Sequence, residues 1–242
     1  MFVGVDGCRA GWLAIGLTKE DIWQVNTFPD IASLWCHYNQ ASMILIDIPI
    51  GLREEGVQER RCDSEARKLL GPRRSSVFPA PCRSAAYAKS YREACEVNER
   101  LTGRRLSMKS WNITPKIREV DCLLPNNEAA RARIREIHPE LCFSGLAGHP
   151  MKHPKKRSEG LAERTQILQS TYPQAAAVIS HTISAYRRKD VSRNDILDAL
   201  CAALTAMLGE QKLTSIPQPP EFDSRDLRME MVYYSDNCPY NL

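Results

Sequence analysis

The order of apolar runs between Phe2 and Leu52 restricts the fold more than any other feature of the sequence. "FVGVDG" and "WLAIGL" read as two short strands joined by the Gly-containing turn "DGCRAG", and "IWQVNTF" alternates as a third. Pro29 then opens "DIASLWCHYNQ", in which Ile31, Leu34, Trp35 and Tyr38 recur at helical spacing. "MILIDIPI" is the fourth strand. A strand reached through a helical crossover runs parallel to the strand it joins. The β-β-β-α-β order therefore predicts a mixed sheet whose fourth strand lies parallel to its first.

At 242 residues the chain is long enough for one large domain with a real core, or for two small ones. Charged residues make up 26% and hydrophobic ones 43%, as in ordinary soluble proteins. The net charge of +4 permits a nucleic-acid partner without requiring one. No apolar run approaches the length of about eighteen residues that spans a bilayer. The start, "MFVGVDGCRAGW", has no basic region leading into an apolar run, so it does not read as a signal peptide. Nine cysteines are scattered without a C-x-x-C pair, which argues for reduced thiols and a cytoplasmic location rather than a zinc site or disulfide framework.

The expected organisation is a single domain over 1–242 with 53–132 as an insertion and 215–242 as a C-terminal extension. The insertion is rich in Arg, Ser and Pro and includes the helical "SYREACEVNERLTGR". "RIREIHPELCF" (133–143) reads as a strand with Ile137, Leu141 and Phe143 on one face. Pro139 cannot donate to a ladder, so that strand is expected at a sheet edge. The basic loop "GHPMKHPKKRSEG", the helix "LAERTQILQSTY" and the apolar segment "AAAVISHTISAY" follow. "SRNDILDALCAALTAMLG" is the clearest helix, with an apolar stripe of Leu197, Leu200, Leu204 and Leu208 and a closing Gly209.

Asp47 stands inside an apolar strand, and a lone ionised carboxylate there is costly without a partner. Asp6 has the equivalent place in strand one. Asp195 and Asp198, three apart, project from one face of the last helix. Four converging carboxylates need a cation between them, and hard divalent ions such as Mg²⁺ or Mn²⁺ bind through oxygen. Such a centre can activate water for phosphodiester hydrolysis. Three of the acids also have a structural reading: Asp6 as a turn residue, Asp195 as the acid of an S-x-x-D capping box after Ser192, and Asp47 as a partner of Arg53 or another arginine of the middle region. Asp198 lies a full turn inside the helix, where aspartate is a poor residue.

"VGVDGCRAGW", "IDIPIGL", "RRCDSEARKLLGPRRSSVFPAP", "PKIREVD", "EIHPELCF" and "DILDALCAALTA" resemble the domain of unknown function 429 family, predicted ribonuclease H-like nucleases. The resemblance spans nearly the whole chain. It implies a ribonuclease H-like mixed sheet, β-β-β-α-β-α-β-α, flanked by helices. "DILDALCAAL" also looks like the closing helix of Holliday-junction resolvases, which supplies two metal-binding aspartates three apart. The resemblance makes Asp6, Asp47, Asp195 and Asp198 the metal-binding, catalytic acids. The chain departs from the pattern at Asn194, where many relatives carry an acid.

Glu136 and Glu140 are candidate extra ligands or acid/base groups, and His138 could orient a water. His149 and His153 are four apart, but Pro150 and Pro154 exclude a helical zinc site there. In "GPRRSSVFPAPCR", Arg73, Arg74 and Arg83 surround Phe78 and could bind phosphate and a base. Lys155 and Lys156 of "KHPKKR", with Lys116 of "PKIREVD", extend the candidate nucleic-acid surface. The leading expectation is a metal-dependent nuclease acting on DNA or RNA. The alternatives are a non-catalytic nucleic-acid- or partner-binding module on the same fold and an actin-like phosphotransferase.

Overall fold

A computed structural model describes residues 1–235. Its strands are β1 (Phe2–Cys8), β2 (Gly11–Leu17), β3 (Trp23–Phe28), β4 (Met43–Ile46), β5 (Ile134–Glu136), β6 (Leu213–Phe222) and β7 (Arg228–Tyr234). Helix α1 (Ile31–Tyr38) joins β3 to β4. Between β4 and β5 lie α2 (Arg61–Leu70), α3 (Arg83–Ala86), α4 (Tyr91–Thr102), α5 (Met108–Asn112), α6 (Thr114–Leu123) and α7 (Glu128–Arg133). After β5 come α8 (Pro139–Ala147), α9 (Ser158–Thr171), α10 (Ala175–Ala185) and α11 (Arg193–Leu208).

Five strands form a mixed sheet in the order β3-β2-β1-β4-β5. The meander β1-β2-β3 is antiparallel, while β1, β4 and β5 run parallel. The tight β1–β2 connection depends on Gly11, whose φ of 122° and close approach to Phe28 leave no room for a Cβ. β6 and β7 form a separate antiparallel hairpin. Its register shifts between Ile216 and Glu221, where Pro217, Pro219 and Pro220 interrupt the ladder. Arg135 on β5 holds Glu230 on β7 in two hydrogen bonds of 2.9 Å, tying the hairpin to the sheet.

Alternation along β1 divides the core. Val3 and Val5 pack with Trp12, Ile44, Ile46, α1 and α6 on one face. Phe2 and Cys8 face the other way with Leu13, Leu45 and α11. α11 starts at a capping box in which Ser192 accepts from the Asp195 amide and Asp195 accepts from the Ser192 amide. Every residue from Ile196 to Ala206 is buried, so the helix is enclosed all round rather than along one leucine stripe; Leu208 is exposed.

The segment 133–143 departs from its strand reading. β5 stops at Glu136, and Pro139 opens α8 with His138 as its N-cap. Proline suits the first helical turn, where its missing N–H is no loss. β5 does occupy a sheet edge. "AAAVISHTISA" is helix α10. Among the described residues no helix is long and apolar enough to cross a membrane. The eight cysteines among them are free thiols. Residues 236–242, which include Cys238 and the end of the expected C-terminal extension, lie outside the described residues.

Candidate functional site

The parallel register of β1 and β4 sets Val5 opposite Ile46, so Asp6 and Asp47 follow side by side at the strands' C-terminal ends. Asp47 is the first residue beyond β4 rather than its midpoint, yet its amide still donates to the Val5 carbonyl at 3.1 Å. Both acids continue the alternation that turns Gly4 and Leu45 toward α11. That helix comes within backbone contact: a Cβ on Gly4 would lie 2.1 Å from Ala199 O and Ala203 N. The close approach brings Asp198, 2% exposed, to the same sheet edge.

Burial raises Asp6 well above the usual carboxylate range, and the charges of Asp47, Asp198 and Asp195 raise it further. Burial pushes Asp47 up to about 7, with Asp198 and Glu136 adding to the rise. Among the described residues no hydrogen bond reaches the carboxyl group of Asp6 or Asp47. Although among the described residues the ligand atoms already gathered within 4.8 Å of one another are those of Cys62, Asp63 and Glu136, Asp6 and Asp47 offer hard oxygens of the kind that Mg²⁺ or Mn²⁺ takes.

Asp195 stands at the rim of this group, but its two oxygens already accept from the Ser192 amide at 2.8 Å and hydroxyl at 2.6 Å. Beside it, Asn194 keeps its side-chain oxygen buried without a partner. Lys155 reaches inward from the α8–α9 loop, and its ammonium donates to Asp198 Oδ2 at 2.8 Å. Asp198 above all, with Asp47 and Asp6, holds that ammonium in its charged form. Lys155 is thus part of the acid cluster rather than of an outward basic patch. Lys116 folds over the β1–β2 turn, donating to the Gly11 carbonyl, with its ammonium 4.2 Å from the centre of the Trp12 ring.

Other candidates are committed elsewhere. Glu136 accepts from both arms of Arg60 at 2.8 Å and from the Ile50 amide at 2.6 Å. Burial pushes it up to about 7 against the pull of Arg60. Arg60 also binds Asp63 and the Ile50 carbonyl, so this network fixes the loop that follows Asp47. Cys62, Asp63 and Glu136 lie close enough together to hold a metal, but the Arg60 guanidinium already supplies the cation there. Glu140 is paired with Arg164 and Arg73. His138 Nδ1 accepts from the Glu140 amide at 3.3 Å, and Ser76 backbone is its other partner. Burial and the Lys155 charge lower its pKa, so the imidazole is held neutral as a cap.

The expected phosphate-binding arginines separate. Arg83 is 5% exposed and bound by Glu54, Asp121 and Asp223, so it is not presented to a ligand. Arg73 is tied to Glu140. Arg74, in the 3-10 turn Gly71–Ser76 whose last residue meets His138, is exposed, and so is Lys156 beside Lys155. Sequence reasoning missed the Arg60–Asp63 pair; an i, i+3 charge pair at the start of an amphipathic helix was its only local signal.

No curated protein and no solved structure matches the chain. The family described as "Protein of unknown function (DUF429)" matches residues 4–222. That span takes in both strand acids, the whole of α11 and the Lys155 loop, and the chain belongs to the DUF429 family.

Proposed function

We propose that this protein is a divalent-metal-dependent nuclease with a ribonuclease H-like sheet. The sheet order β3-β2-β1-β4-β5, with β2 running opposite to the other four strands, supports the fold reading. One observation carries the functional one: Asp6 and Asp47 sit side by side at parallel strand ends, neither carboxyl group hydrogen-bonded, with Asp198 delivered to them by α11.

Asp6, Asp47 and Asp198 would hold Mg²⁺ or Mn²⁺, with Asp195 bracing the helix that carries Asp198. The ion would supply an activated water and charge stabilisation at the phosphate. The chain's own contributions are positional. Gly4 lets α11 settle onto β1, Arg60 and Glu136 hold the loop after Asp47, and His138 fixes the start of α8 beside Lys155. Exposed Arg74, in the turn that ends against His138, and Lys156, next to Lys155, would suit a phosphate backbone.

The test is a Mn²⁺ and Mg²⁺ titration of cleavage on labelled DNA and RNA duplexes, single strands and junctions, with Asp47→Asn in parallel. Metal-dependent cutting that the variant loses supports the reading. Equal cutting by both proteins overturns it. Salt-sensitive binding without metal dependence would instead favour the non-catalytic module.

A further inference from the structure

Lys155 is the one basic side chain whose ammonium hydrogen-bonds an acid of the proposed centre, among the described residues. Its placement is built rather than incidental. The Lys152 and His153 amides donate to Glu163 at 2.8 and 3.0 Å, and Arg164 donates to the His153 carbonyl at 3.1 Å. Pro154 rests on Gly160 so closely that a Cβ there would lie 2.1 Å from its carbonyl oxygen. Met151 is buried beneath the loop. The backbone on the N-terminal side of Lys155 is therefore pinned, while the lysine side chain keeps 42% of its surface exposed. A fixed base with a partly exposed, flexible stem can place its charge on Asp198 or withdraw it into solvent.

We propose that Lys155 is the resident cation of the acid cluster and competes with the divalent ion for Asp198. This rests on the metal-site reading of Asp6, Asp47 and Asp198. A divalent ion ligated by Asp198 places its charge within a few ångströms of the ammonium on Oδ2, and the two cations repel each other for the same carboxylate. Ion entry therefore expels the ammonium from Asp198. The released lysine stands beside Lys156, next to any phosphate that the ion has drawn in. Occupancy of the centre is thereby lowered when substrate is absent.

Two measurements test this, neither depending on cleavage. The first is calorimetric titration of Mn²⁺ into the wild-type chain, Lys155→Met and Asp47→Asn. At least tenfold tighter Mn²⁺ binding by Lys155→Met is expected; unchanged or weaker binding overturns the competition. The second is acetylation of the wild-type protein by limiting acetic anhydride, read at Lys155 by peptide mass spectrometry. Labelling at this one lysine should rise at least threefold with saturating Mn²⁺, and no rise overturns the proposal even if the variant misfolds. Undiminished Mn²⁺ binding by Asp47→Asn would instead defeat the metal-site reading itself.

Discussion

Gly4 of β1 and Ala203 of α11 meet backbone to backbone, and a Cβ on the glycine would come within 2.1 Å of the Ala203 amide nitrogen. Gly4→Val must push the helix away, and overpacking of this kind costs about 1–3 kcal/mol or more. At roughly 2–4 °C per kcal/mol for a chain of this size, the thermal midpoint should fall by about 2–12 °C. Because α11 also carries Asp198, Mn²⁺ affinity should fall with it. An unshifted melting curve would mean that the helix has slack in its seat.

Arg60 with Asp63 and Glu136 is a buried, fully engaged charge group. Removing one member strands the others, at about 3–5 kcal/mol. Arg60→Met should destabilise by that order in urea unfolding. Adding Asp63→Leu and Glu136→Leu should return much of the loss. A triple variant as unstable as the single one would show that the charges themselves, not their pairing, hold the loop after Asp47.

The two acids of α11 should behave differently. Asp195→Asn weakens a helix cap, costing about 1 kcal/mol, and should leave cleavage within a few-fold of wild type. Asp198→Asn should remove cleavage and Mn²⁺ binding together. Parallel melting curves and cleavage rates on the two variants separate these roles.

Metal-free stability should depend on pH through Asp47. Its folded pKa of about 7 lies above the ordinary value of 3.8, so the folded state binds more protons between those limits. Stability then rises as pH falls from about 7 toward 4, and is lowest above 7. Asp6 acts in the same direction, while His138, lowered by burial, acts oppositely below its ordinary 6.5. The wild-type minus Asp47→Asn difference in unfolding free energy, measured from pH 5 to 8 in EDTA, isolates the Asp47 contribution. That difference should decline with pH.

Arg74→Ala and Lys156→Ala should each weaken nucleic-acid binding uniformly across sequences and lower the salt slope by about 1. Arg83→Ala should lower thermal stability instead, since it takes the cation from buried Asp223 and leaves Asp121 with Arg225 alone. Binding isotherms at several salt concentrations, with a melting curve for each variant, distinguish the two classes.

Local patterns in the sequence were enough to locate β1 to β4 with α1, because alternation and turn residues act over a few positions. The same locality explains the misreading of 133–143. Ile137, Leu141 and Phe143 share a strand face in a period of two, but His138-Pro139-Glu140 carries the stronger signal of a helix start. Asp6 and Asp47 were legible because an acid at the end of an apolar strand is conspicuous. Lys155 and Arg83 were not, since both sit in basic stretches and their partners lie far away in sequence: Asp198 for one, Asp121 and Asp223 for the other. Glu140 found its partners only through Arg73 and Arg164, and no spacing rule announces that.

The pairing of Val5 with Ile46 has a consequence for how the chain finds its fold. A slip of one residue between β1 and β4 would turn Asp47 into the apolar layer with Val3, Val5 and Trp12 and send a core isoleucine toward the acids. Misaligned chains are thus penalised by a buried charge with no counter-ion, while the correct alignment gathers the acids where Lys155 or a dissolved cation can neutralise them. The residues proposed for chemistry also proofread strand alignment, and simple salts of divalent ions should speed or rescue refolding before any substrate is met.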